Sequence, residues 1–282
     1  VDAAEDLPEG AFGFVPGRAS EIGDVLAGDD RIDAIAMTGS SGAGKHVAGV
    51  SGMVELHMEL GGNAPAIVFP DADLEAASSA AASGSLKYAG QRCSAVSRVL
   101  VHEDAHDELV DRIDAEMEGF EPGDLFDEET SLGPLISHEQ AEWVEELVED
   151  ALDRGATLVR GGSRSGRFFE PTLLADVPHD ARIVHEEQFG PVVAVTTFDD
   201  EAGALEVANG GSLGLDAAVF TADYDRAMRV ADRLEVGGVR INGAPSHGLG
   251  DIPFGGTKDS GIGREGIGYT IEAFLERKSI IL

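Results

Sequence analysis

Residues 59–74 read ELGGNAPAIVFPDADL and residues 87–101 read KYAGQRCSAVSRVLV. Between and around these two segments the chain lays down strand, helix, strand. AIVF at 66–69 is a short apolar run of the kind that forms a buried strand. From Asp73 an Ala-rich segment reads as a helix opened by an aspartate N-cap and delivering the chain to the GQRC turn. RVLV at 98–101 is the next strand. Cys93, in that turn, is the only cysteine in 282 residues. A lone thiol between a Gly-Gln-Arg turn and a run of small residues is a candidate nucleophile, or else a buried core cysteine. Glu59 stands before the pair Gly61-Gly62, where the backbone can approach a ligand closely. Taken alone, it also reads as a capping or solvated glutamate.

The same alternation extends in both directions. Upstream, Asp24 to Ala27 falls in a helical stretch, AIAM at 34–37 is a short strand, and a Gly-rich turn leads into a helix near Lys45. That turn, GSSGAGKH at 39–46, nearly matches a phosphate-cradling P-loop, but His46 stands where the Mg²⁺-binding hydroxyl belongs. Downstream, EDAHDELVDRIDAEM is a surface helix with Asp104 as its natural N-cap. His102 and His106 match the zinc pattern H-E-x-x-H, yet they straddle the strand–helix junction and no third ligand is signalled, so no metal is expected. Residues 138–154 carry Trp143, Val144, Leu147, Val148, Ala151 and Leu152 at helical spacing, which assigns Trp143 to core packing, and Gly155 stops the helix. A strand follows at 192–198. Residues 200–241 run helix, strand, helix, strand, the signature of a parallel α/β sheet. GIGREG at 261–266 is a weak nucleotide fingerprint, because no strand leads into it. KSIIL at 278–282 reads as a short strand with an open edge, suited to pairing with another subunit.

Composition narrows the function classes. Apolar residues make up 43%, so the chain is globular. The formal charge of −33 argues against nucleic acid, whose phosphates need a basic footprint. No apolar run is long enough to span a membrane and no signal-peptide pattern is present, which gives the expectation of a soluble, cytoplasmic protein. A single cysteine excludes an internal disulfide framework. Acid is spread over the helices rather than massed in a tail, and four lysines accompany sixteen arginines. That pattern suggests a halophilic host.

The spacing of Glu59 in ELGG, 34 residues before Cys93 in GQRCS, resembles the aldehyde dehydrogenase superfamily. MTGSSGAG at 37–44, GPLIS at 133–137, EEQFGPVV at 186–193 and PFGGTKDSGIGREG at 253–266 agree and fall in the family's order. The resemblance implies an α/β fold: a catalytic domain with a parallel sheet, plus the end of a Rossmann-like cofactor-binding domain. It divides the chain into 1–61 (end of the dinucleotide-binding domain), 62–255 (thiol-bearing domain) and 256–282 (returning helix and oligomerisation strand). It implies that Cys93 attacks an aldehyde, its backbone N–H holding part of the oxyanion, and that Glu59 activates water for thioester hydrolysis. Gly39, Ser40, Leu60 and Gly61 would receive NAD or NADP, with the pyrophosphate at a helix N-terminus. Glu187 would hold the nicotinamide ribose and Phe189 would pack beside it. Arg92 is similar to the phosphate-binding arginine of the non-phosphorylating glyceraldehyde-3-phosphate dehydrogenase branch, or else ties the turn. The second arginine of that branch is replaced by His247 and Gly248, which leaves lactaldehyde and succinate semialdehyde as alternative substrates. The chain opens at Val1 in mid-pattern, so a preceding cofactor-binding portion is expected outside this sequence. The expectation is therefore a fragment of a homo-oligomeric enzyme (dimer or tetramer), or a non-catalytic remnant of one.

Overall fold

The structure, a computed structural model, describes residues 7–128, 130–246 and 252–282. Helix α1 (Ala19–Ala27) precedes a small sheet. Strands β1 (Ala34–Thr38) and β2 (Glu55–Glu59) pair in parallel, and Gly261–Ile262 adds antiparallel to the other edge of β2. Between β1 and β2 runs helix α2 (Ser41–Val50). After Glu59 the chain leaves this sheet and enters a larger one at β3 (Ala64–Val68).

The larger sheet has seven strands, ordered Gly238–Ile241, Asp216–Phe220, β3, β4 (Val96–His102), Val192–Phe198, Thr172–Ala175 and Thr157–Arg160. All neighbours are parallel except the last pair, which is antiparallel. Residues of β3 are buried on both faces, as a central parallel strand covered by helices requires. Ala66 and Val68 join one core with Leu109, Val144 and Leu173. Ile67 and Phe69 join another with Leu100, Phe198 and Val230. That division follows the period of two along a strand. Helix α3 (Leu74–Leu86) connects β3 to the turn before β4, and the Asp73 side chain accepts from the backbone N–H groups of Glu75 and Ala76 at its start.

One local expectation is corrected. The helix His106–Met117 is not capped by Asp104; His102 Nδ1 accepts from the Asp104 N–H at 3.2 Å, and a 3₁₀ turn over Glu103–Ala105 intervenes. KSIIL forms no strand, and Ile280, Ile281 and Leu282 stand exposed. A strand exists only through ladder partners, and none within the described residues meets this segment. Among the described residues, no helix is long and apolar enough to cross a membrane.

Candidate active site

Three turns converge. The first joins β1 to α2. The Gly39 N–H donates to the Glu59 carbonyl at 3.1 Å, which locks this turn to the end of β2. Ser40 is the N-cap of α2 and its Oγ accepts from the Ala43 N–H at 3.3 Å. Ser41 Oγ, one residue on, is buried with no hydrogen-bond partner among the described residues. Gly44 lets Leu60 lie on the helix, because a Cβ there would come within 2.5 Å of Leu60 Cδ1. Lys45, the residue a P-loop would aim at phosphate, instead meets the Asp259 carboxyl at 2.5 Å.

The second turn is Leu60–Asn63, between the two sheets. Its Gly62 N–H donates to Glu187 Oε1 at 2.8 Å. A Cβ on Gly61 would come within 2.7 Å of Glu187 Oε2 and 3.3 Å of Ser41 Oγ. The Glu187 carboxyl therefore lies over the backbone of the glycine pair. Burial pushes its pKa up, and the Gly62 N–H partly offsets that.

The third turn carries the thiol. Tyr88 and Ala89 adopt left-handed backbone conformations at φ 56° and 55°, followed by Gly90 at φ 70°. Side-chain-bearing residues in this region cost on the order of 1–3 kcal/mol each, so the surroundings must hold the turn. Gly90 sits against the Gly190 carbonyl, where a Cβ would come within 2.0 Å of the oxygen. Gln91 Oε1 accepts from the Ile136 N–H at 2.8 Å, and its Nε2 donates to the Tyr88 carbonyl at 3.2 Å. Cys93 emerges from this turn half-buried. Burial pushes its thiol pKa up first; the Ser94 N–H opposes, and the charges of Asp216, Glu59 and Glu187 push further up. The resting group is a thiol that needs a base.

Cys93, Arg92, Gly39, Ser40, Leu60, Gly61, Glu187 and Phe189 all line one cavity of about 1090 Å³. Glu59 is not among its lining residues. It is 5% exposed at the end of β2, and its Oε1 packs against Gly255, where a Cβ would approach to 2.8 Å. Arg92 is half-buried, and its Nη2 donates to the Gly84 carbonyl at 2.7 Å. The turn-tying reading thus has a contact behind it. His247 lies outside the described residues. Trp143, assigned to the core, does pack there but also walls the cavity, its Nε1 donating to the Glu187 carbonyl at 3.0 Å. Ser41, Gln140 and Phe254 line the cavity too and were not anticipated.

A profile of the aldehyde dehydrogenase family matches residues 1–280. The chain belongs to that family. This aldehyde dehydrogenase chain is 44% identical over 264 residues to the succinate-semialdehyde dehydrogenase [NADP(+)] of Deinococcus radiodurans, covering 92% of this chain and 55% of that protein. It is 38% identical over 279 residues to the NADP-dependent glyceraldehyde-3-phosphate dehydrogenase of Streptococcus equinus, covering 99% and 58%. The NADP-dependent glyceraldehyde-3-phosphate dehydrogenase of Bacillus halodurans, solved with NADP, superposes with a TM-score of 0.90 at 39% identity, covering 92% of this chain and 54% of that one. The chain therefore spans little more than half the length of the relatives it matches. Membership accounts for the near P-loop at 39–46 as an aldehyde dehydrogenase segment.

Proposed function

We propose that this chain supplies the thiol-bearing part of an enzyme that oxidises an aldehyde to a carboxylic acid with NAD or NADP. The observation that carries the reading is the position of Cys93, which opens on the same cavity as the N-terminus of α2 and the Glu187 carboxyl.

A dinucleotide fits these residues. The unpartnered Ser41 Oγ, the free approach over Gly61 and the Glu187 carboxyl lie within a few ångströms of one another, as the distances from Gly61 give. Ser40, Ser41 and the N–H groups of Ser40 to Gly42 would hold the pyrophosphate, with Gly39 beside them, favoured by the helix dipole. Glu187 would accept from the ribose hydroxyls, with Leu60 and Phe189 beside them. The nicotinamide, when bound, supplies the hydride acceptor that turns a thiohemiacetal into a thioester.

In this reading the Cys93 thiol gives its proton to solvent in the cavity and its sulfur bonds the aldehyde carbon. Glu59 serves as base, taking a proton from the water that cleaves the thioester and frees the thiol. Its approach from behind Gly255 requires the side chain to swing toward Cys93 for that step. The substrates considered are glyceraldehyde-3-phosphate, lactaldehyde and succinate semialdehyde. The assembly reading is of a halophilic homo-oligomer, with residues 1–61 completing a cofactor domain and the exposed apolar residues after Ile267 meeting a neighbouring chain.

The test is the absorbance of reduced nicotinamide, using the purified chain in molar KCl with each aldehyde and each cofactor, beside Cys93→Ser. Turnover lost in that variant supports the reading. Absence of turnover, together with no aldehyde adduct on Cys93 by mass spectrometry, overturns it in favour of a non-catalytic remnant.

A further inference from the structure

The turn that carries Glu187 is strained and is held from a neighbouring helix. Phe189 has a left-handed backbone at φ 47°, a region that a side-chain-bearing residue keeps only where its surroundings impose it. Against this turn runs the helix His138–Asp153, whose Gln140, Trp143 and Val144 share one face at i, i+3 and i+4 spacing. Trp143 Nε1 donates to the Glu187 carbonyl at 3.0 Å. Gln140 Nε2 donates to the Gln188 carbonyl at 2.8 Å and to the Phe189 carbonyl at 3.2 Å. Val144 closes the row against Gly190, where a Cβ would come within 2.4 Å of its Cγ2. Three consecutive carbonyls of the turn are thus taken up by two side chains of one helix.

The support is rigid. Ala141, Val144, Leu147, Val148 and Ala151 are buried along the helix. Arg182 covers the indole, its Cζ 5.0 Å from the ring centroid, and its Nε donates to Glu186 Oε1 at 2.7 Å. From the other side, Gln188 Nε2 donates to the Ser97 carbonyl at 3.2 Å.

What this support fixes is the Glu187 carboxyl. Its Oε1 accepts from the Gly62 N–H at 2.8 Å. Its Oε2 accepts no hydrogen bond from the described residues and lies over Gly61, where a Cβ would stand 2.7 Å away. The residue is therefore held at both ends, its carbonyl by Trp143 and its Oε1 by Gly62. Oε2 is left as an acceptor for a ligand in the cavity that Trp143, Gln140 and Glu187 all line.

We propose that Trp143 is a positioning residue for the dinucleotide: with Gln140, it holds the strained Glu187–Phe189 turn so that Glu187 Oε2 meets the ribose hydroxyls. This rests on the reading of Glu187 as the ribose contact. Trp143 acts through Glu187, so its effect on binding disappears once that carboxyl is gone.

Trp143 is the only tryptophan in the chain, which makes it a reporter of the same cavity. The full chain, in molar KCl, is titrated with NADH and with NADPH. Binding is read by calorimetry and by the indole emission, which overlaps the absorbance of reduced nicotinamide. The wild type is expected to bind with quenching of the indole. Trp143→Phe, followed by calorimetry, should weaken binding by about three- to tenfold, the range of one neutral hydrogen bond. Gln140→Met keeps the indole, guards against a phenylalanine variant that does not fold, and should weaken binding by a similar factor. A double-mutant cycle decides whether the effect passes through Glu187. Glu187→Gln should weaken binding about tenfold or more. Adding Trp143→Phe or Gln140→Met to it should change affinity by less than about twofold. Wild-type affinity in a single variant that folds, or losses that multiply in the double variant, overturns the role and leaves the indole as core packing. Binding without quenching places the dinucleotide away from Trp143 and overturns it as well. If the wild type binds neither dinucleotide, the reading of Glu187 falls and that of Trp143 falls with it.

Discussion

The Cα of Gly62 lies against the carbonyl oxygen of Cys93 so closely that a Cβ on Gly62 would stand 2.1 Å from that oxygen. The two quoted stretches are thus joined by a contact that only glycine permits, at a position where φ is not the issue. Gly62→Ala must push the Cys93 turn away. A displacement near 1 Å at a reacting atom costs on the order of a hundredfold in rate. The expected outcome is at least that loss in turnover, and a lower melting temperature from overpacking. Retained activity in Gly62→Ala would show that the Cys93 turn is not held by this contact.

The pH behaviour of Cys93 follows from its surroundings. Burial leads the upward shift, and the charges of Asp216, Glu59 and Glu187 add to it. A thiol with a raised pKa is protonated at neutral pH, so its reactivity grows as pH rises and is still growing above the usual thiol range. The rate of iodoacetamide alkylation of Cys93 should therefore climb through pH 9 without a plateau below it. Glu59→Gln removes one raising charge, so it should speed alkylation at pH 8 by a few-fold while stopping turnover at the hydrolysis step. Slower alkylation in that variant would mean that Glu59 assists the thiol rather than opposing its ionisation.

Much of this architecture is legible in the chain. AIVF, RVLV and the 192–198 run are apolar because they lie in a sheet covered on both faces, and the ordered motifs bring Cys93, Glu187 and Gly39 to one cavity. What is missed follows a pattern. Trp143 sits at core spacing on its helix, and helical period does not reveal that an indole edge extends past the core to the Glu187 carbonyl. The left-handed conformations of Tyr88 and Ala89 carry no glycine signal, since packing around Gly90 and Gln91 imposes them.

Arg98 is a stability prediction independent of the chemistry. The residue is 3% exposed and, among the described residues, its side chain is held by carbonyls alone: Nε to Asn63 at 3.1 Å, Nη1 to Val184 at 3.1 Å and Val207 at 3.0 Å, Nη2 to Ala208 at 3.0 Å. Val207 and Ala208 end the helix Glu201–Asn209, whose negative pole favours a cation. Burial lowers the guanidinium pKa to about 10, which leaves it charged at neutral pH. Arg98→Met keeps much of the volume but strands the Asn63 and Ala208 carbonyls, at about 1–3 kcal/mol for each left unpaired, while Val184 keeps Asn63 Nδ2 and Val207 keeps the Gly210 N–H. A fall of several kcal/mol in denaturant unfolding is expected, and near wild-type stability in Arg98→Met would show that packing, not these bonds, holds the junction.

Arg92 separates a substrate contact from a structural one. A phosphate-binding arginine turns its paired donors to the ligand, whereas here Nη2 is committed to the Gly84 carbonyl at 2.7 Å, tying the end of α3 to the Cys93 turn, and Nε is buried without a partner among the described residues. Burial also lowers the Arg92 pKa, the cost of holding a guanidinium inside that turn. Arg92→Leu should then lower the melting temperature and slow glyceraldehyde-3-phosphate and lactaldehyde alike. The ratio of their kcat/KM values should move by less than about threefold, because no phosphate bond is lost, whereas a charge-assisted contact would shift it tenfold or more. A selective collapse with glyceraldehyde-3-phosphate would assign the guanidinium to the phosphate and require it to leave Gly84 when substrate binds.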